Sequence, residues 1–188
     1  FGIARNPAKW LIDKEEITKS MLSLQFPELH VTGFTVAEEC ASWGVDPDDI
    51  LDAVRLTEKK EASPLSLSRG ELKRLHLACV LAKDYDLLLL DEPFSSLDCE
   101  EKVKLSARLG EKSQGITVIF THEQNIFPRV KRIWEIVDST LVDCGTPPDA
   151  FTHWRHIPPV IKKLTALGAT PDNISPDDFL EAVCRIQG

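Results

Sequence analysis

The chain has 188 residues, 43% apolar and 28% charged, the balance of a globular domain with one proper core and room for a small appendage. Its formal net charge of −8 argues against the broad basic surface that nucleic acid or an anionic membrane requires. No apolar run approaches the roughly 20 residues of a helical membrane span; the densest is the run of leucines at 87–90.

The five cysteines (Cys40, Cys79, Cys99, Cys144 and Cys184) are dispersed with no CxxC pair, which reads as free thiols in a reducing compartment. His153 and His156 are spaced to share a metal, but further ligands are lacking nearby, and a solvated surface is the better reading. The chain starts at Phe1 with no charged-then-apolar leader, as a partial sequence would.

In chain order, the first third reads as helical and irregular. Thr35-Val36-Ala37-Glu38 is a capping box, and Asp46-Pro47 followed by two acids opens a helix that buries Ile50, Leu51 and Val54. A serine-rich loop over 61–68 precedes a helix from about Gly70 to Ala82, with Leu72, Leu75, Cys79 and Ala82 on one face. The unbroken apolar run before Asp91 predicts a strand buried on both faces, as in a parallel sheet. An amphipathic helix over 100–110 and a second buried strand, Ile116–Phe120, complete a right-handed strand–helix–strand crossover. Two short strands, 133–137 and 140–142, form a hairpin around Asp138-Ser139. The proline-punctuated tail from Gly145 reads as a small helical appendage whose last helix starts at Ser175-Pro176. The corresponding domain division is 1–85, 86–145 and 146–188.

Four short segments carry chemistry. Asp91 ends a buried strand, where open α/β sheets place their ligands, and a carboxylate there suits Mg²⁺, which takes only one or two. Glu92 follows at once; the bland alternative for Asp91-Glu92-Pro93 is a polar turn. Ser68 and Gly70 open a helix, whose exposed N–H groups and dipole favour an anion; the alternative is a plain N-cap. His122 ends the second strand and is either structural or a phosphate contact, and Asp98 caps the following helix whatever else it does.

In this order and spacing, Leu67-Ser68-Arg69-Gly70-Glu71, Leu90-Asp91-Glu92-Pro93, Ser96-Leu97-Asp98 and Thr121-His122 resemble the ABC ATPase family over nearly the whole chain. The resemblance implies an α/β P-loop NTPase fold, a RecA-like core with a helical subdomain, here N-terminally incomplete. It implies ATP and Mg²⁺ as cofactors. Asp91 would hold the metal, and Glu92 and His122 would be catalytic. Ser68, Gly70 and Glu71 would grip the γ-phosphate of ATP held by a second ABC subunit, and Asp98 would cross that dimer interface. Arg74 matches the arginine that follows the signature.

The stretch Gly145-Thr146-Pro147 to Phe151 resembles the ending of importer ATPases, and Pro158-Pro159-Val160-Ile161 with Ser175-Pro176-Asp177-Asp178-Phe179-Leu180 resembles the energy-coupling-factor branch, whose members import metal ions or vitamins. That implies an integral membrane partner, no nucleic acid, and a peripheral place on the cytoplasmic face of the membrane. Arg5-Asn6-Pro7 aligns with a Gln-Asn-Pro of that branch whose Gln senses Mg²⁺ and the membrane partner, and an arginine cannot ligate a cation. The signature departs from L-S-G-G-Q at Arg69 and Glu71, and the pattern GxxxxGK[ST] does not occur. Besides an importer ATPase, the sequence admits a regulatory ABC-like subunit without its own ATP site, and a DNA-repair ATPase, which would show coiled-coil heptads and a basic surface.

Overall fold

The computed structural model describes residues 11–12, 15–112 and 114–187. They form two compact units, Phe1–Leu97 with Gln114–Thr121 and Asp98–Ser113 with His122–Gly188.

The first unit is built on a three-stranded parallel sheet in the order β3-β4-β5, after a two-residue antiparallel pair, β1 (Leu11–Ile12) and β2 (Glu15–Glu16). Strand β3 (Ser20–Ser23) runs beside β4 (Leu87–Asp91), with Ser23 level with Leu90; on the other side β5 (Ile116–Phe120) places Phe120 level with Asp91. The strand starts are tied by Asp86, whose carboxylate accepts from the Thr18 and Lys19 amides at 2.9 Å. Gly115, at φ +69°, leads into β5 where a Cβ would stand 2.0 Å from the Tyr85 carbonyl, so only glycine fits this close approach.

Two expectations are corrected here. The first third is not wholly helical, because Ser-Met-Leu-Ser at 20–23 is a strand; with polar residues at both ends it shows no apolar run. Strand β5 is not fully buried, since Ile116 and Phe120 are exposed, and as an edge strand among the described residues it lacks a second neighbour.

The helices of this unit share one core. Helix α1 (Val36–Ser42) starts with the Thr35/Glu38 capping box in reciprocal form. Helix α2 (Pro47–Ala53) is capped by Asp46, which accepts from the Asp48 and Asp49 amides. Helix α3 (Arg69–Leu81) buries Leu72, Leu75, Ala78 and Cys79 against Val36, Cys40 and Leu51. It is buried nearly all round, not along one stripe, and includes the charged side chain of Lys73 and the ring of His76, while Ala82 lies exposed as the C-cap.

The second unit holds α4 (Cys99–Glu111), the hairpin of β6 (Ile133–Val137) and β7 (Thr140–Gly145), α5 (Pro159–Ala166) and α6 (Pro176–Gln187). Asp138 and Ser139 both have positive φ, the two-residue turn whose twist matches the strands it joins. Phe127, Ile133 and Cys144 pack with Phe151, Ile161 and Ile174 in one core. Asn173 seals the neighbouring backbone, accepting from the Val130 amide at 3.0 Å and donating to the Val130 carbonyl at 2.8 Å. His156 is exposed, and its Nδ1 lies 2.6 Å from the carboxylate of the buried Glu135.

Candidate functional site

The carboxyl end of the parallel sheet gathers the first group of candidate residues. Asp91 is the last residue of β4 and is half-buried. Glu92 leaves the strand with φ +46°, a backbone state uncommon outside glycine. Hydrogen bonds hold it: its amide donates to the Phe120 carbonyl at 2.8 Å, Thr121 Oγ1 donates to its Oε2 at 3.1 Å, and its own carbonyl accepts from Ser95 Oγ at 2.9 Å and from the Ser95 amide at 3.2 Å. Asp91 suits a magnesium ion, which asks one or two carboxylates of a protein and takes phosphate and water for the rest. Among the described residues no group of three or more His, Cys, Asp or Glu side chains is placed to hold a metal ion alone.

The amino end of α3 carries the second group. Ser68 is its N-cap: the hydroxyl accepts from the Glu71 amide at 3.3 Å and the Glu71 carboxylate accepts from the Ser68 amide at 3.0 Å. Glu71 also pairs with Lys59 at 2.7 Å, and that ammonium, with the Ser68 amide, holds its carboxyl down to about 2. Glu71 and Ser68 thus cap the helix reciprocally. Ser68 and Arg69 are exposed. Gly70 is needed for a packing reason, because a Cβ there would lie 2.9 Å from the carbonyl of Ser96, itself at φ +64°. The helix start and the loop after β4 thus touch through bare backbone.

Asp98 and His122 belong to the second unit. Asp98 is the N-cap of α4, accepting from the Glu101 amide at 2.9 Å, and is exposed, as is His122. Arg5-Asn6-Pro7 lies outside the described residues.

One candidate escaped the sequence reading. Gln25 stands two residues beyond Ser23 of β3, at the same end of the sheet as Asp91 and Glu92, and is followed by Phe26-Pro27. Its carbonyl accepts from Lys73 Nζ of α3 at 3.0 Å. Lys73 is 1% exposed. Burial pushes its pKa down to about 8 against the pull of Asp91, Glu92 and Glu28. A Gln-x-Pro after a short strand was the available signal, hidden because β3 was not recognised.

Beside this, Ser23 Oγ lies 2.9 Å from His76 Nε2. His76 stacks on His30 at 4.7 Å and meets Trp43 edge-on at 5.3 Å. Burial, with the neighbouring His30 and Lys73, pushes the His76 imidazole down to about 3.

The family model described as ABC transporter matches residues 6–95. The chain is 34% identical over 112 residues to the methionine import ATP-binding protein MetN 2 of Salmonella typhi, covering 57% of this chain and 33% of that protein. It is 34% identical over 149 residues to a protein of Pyrococcus horikoshii provisionally named an ABC transporter ATP-binding protein, covering 71% of this chain and 52% of the relative. The chain therefore spans between about a third and a half of these relatives. The structure of cbiO1 from Clostridium perfringens, part of the ABC transporter complex cbiONQ, superposes with a TM-score of 0.57 over 83% of this chain and 71% of that one, at 23% identity. The described chain has the ABC ATPase fold, and residues 6–95 match the ABC transporter family model.

Proposed function

We propose that the complete protein binds and hydrolyses ATP as the ATP-binding subunit of an ABC-type importer. The observation that carries this reading is the fixed Asp91–Glu92 turn at the carboxyl end of a parallel strand, with the signature helix packed through Gly70 onto the loop that follows. Asp91 holds Mg²⁺ with the phosphates. Glu92 orients the attacking water, which is most of what phosphoryl transfer asks of a protein. Gln25-Phe26-Pro27 takes the metal-sensing place that Arg5-Asn6-Pro7 cannot fill. Ser68 and Gly70 offer the start of α3 to the γ-phosphate held by a second ABC subunit, while Asp98 and His122 serve the interface and the γ-phosphate.

The cargo reading, a metal ion or a vitamin, rests on the resemblance of the tail and on the fold shared with cbiO1. The exposed Phe26, Leu29 and Phe34, all next to the Gln25 end of the sheet in sequence, are the apolar surface offered to a membrane subunit at the cytoplasmic face.

Glu92→Gln in the full-length protein tests the reading. ATP binding is expected to persist while hydrolysis falls by about a hundredfold or more, the usual weight of a positioned base. Hydrolysis at the wild-type rate would remove Glu92 from the chemistry.

A further inference from the structure

A buried ammonium is expensive, and a helix interior that needs only volume is served better by leucine or methionine. Lys73 is nonetheless among the largest fully buried side chains, and its Nζ donates to the carbonyl of Gln25. It lies on α3 three residues after Gly70, so the helix whose start carries the signature also grips the segment that follows β3.

We propose that Lys73 is a positioning residue for the metal end of the sheet: its ammonium ties the Gln25 backbone to the signature helix and so holds Gln25 level with Asp91 and Glu92.

Two observations support this beyond the single bond. The segment it grips has its other fastening on the same helix, because Ser23 bonds His76, three residues further along α3. Leu24 is bonded through its amide to His30 Nε2 at 3.1 Å, and His30 stacks on His76. Residues 23–25 are thus attached to α3 at two points, and a shift of the signature helix carries Gln25 with it. In an enzyme whose signature answers to one nucleotide and whose Gln25 answers to another, this is a direct mechanical link between the two sites.

The inference rests on the ATPase reading above, and the experiment separates the two. Lys73→Met and Lys73→Arg are made in the full-length protein, and the Mg²⁺ concentration for half-maximal ATP hydrolysis is measured together with hydrogen exchange of residues 24–28. Lys73→Met is expected to raise the Mg²⁺ requirement about tenfold, the usual cost of losing a group that orients a metal site from behind, and to speed exchange at 24–28. Lys73→Arg, which keeps the charge and the donor, is expected to recover most of both. Gln25→Ala covers the case in which Lys73→Met does not fold. It is expected to raise the Mg²⁺ requirement by a similar factor, and adding Lys73→Met to it should change that requirement little further. An unchanged Mg²⁺ requirement in Lys73→Met or in Gln25→Ala, with wild-type turnover intact, overturns this inference alone. An arginine as damaging as methionine does the same. A wild-type protein with no Mg²⁺-dependent turnover overturns the ATPase reading and this inference with it.

Discussion

At the scale of single residues, two positions show how closely the site is built. Gly70 packs against a carbonyl, so Gly70→Ala must push the helix start away from Ser96 or distort the loop after β4. A loss of about 1–3 kcal/mol is expected, the cost of overpacking, and the midpoint of urea unfolding measures it. A midpoint equal to the wild type would mean that the loop yields freely.

His76 gives a pH dependence with a definite sign. Its folded pKa, about 3, lies below the usual 6.5, because burial disfavours the charged ring and His30 and Lys73 add repulsion. Below pH 6.5 the unfolded chain therefore binds the proton that the folded chain refuses. Stability is fully present above 6.5 and falls by up to about 1.4 kcal/mol per pH unit as pH drops towards 3. His30, also lowered, with Glu39 opposing the shift, works in the same direction. His76→Gln keeps a group able to reach Ser23 but does not titrate. Its stability deficit at pH 7.5 is expected to shrink or reverse by pH 4.5 in thermal melts. A constant deficit across that range would assign the acid sensitivity elsewhere.

At the scale of elements, what was legible followed the strength of local signals. The helix starts at Thr35, Asp46 and Ser68 were readable because a capping side chain and its partner are close in sequence. Strand β4 was readable from its leucines, and the β6–β7 turn from two small polar residues that tolerate positive φ. Strand β3 was not. Its buried Ser23 looks like a surface residue until His76, 53 positions away, supplies a partner. Lys73 was invisible for the same reason, since a lysine on a helix is normally solvated and only the fold brings the Gln25 carbonyl to it. The site was therefore legible where a motif is contiguous and illegible where two segments must meet.

The two capping boxes also permit a controlled test. Thr35→Ala and Ser68→Ala each remove a cap and are expected to cost about 0.5–2 kcal/mol of stability. On the proposed function, only Ser68→Ala should also lower ATP turnover, because that reading offers only the start of α3 to a phosphate. Equal turnover in the two variants would reduce Ser68 to a cap.

At the scale of the whole molecule, each unit is assembled from separated stretches of chain, and the consequence is sharpest in the second. Its hairpin cannot bury a core alone: Phe127, Ile133 and Cys144 are covered by Ala150, Phe151, Ile161 and Ile174, all beyond Gly145. The segment that enters the hairpin depends on the tail as well. Asn173 satisfies both backbone groups of Val130, and the buried Asp178 holds Arg129 at 2.7 Å. A chain ending at Gly145 is therefore expected to lose more than its last two helices. Hydrogen exchange should show protection lost across 127–145, and weakened in α4, where Ser106 donates to the Phe127 carbonyl. Residues 36–81, with their own core and caps, should stay protected. A chain ending at Asp172 makes the finer comparison, because it keeps Phe151 and Ile161 but loses Asn173, Ile174 and Asp178. It should expose the Val130 amide while leaving the β6–β7 pairing partly protected. If the shorter chain kept full protection at 127–145, the tail would be an independent appendage and not a wall of this core.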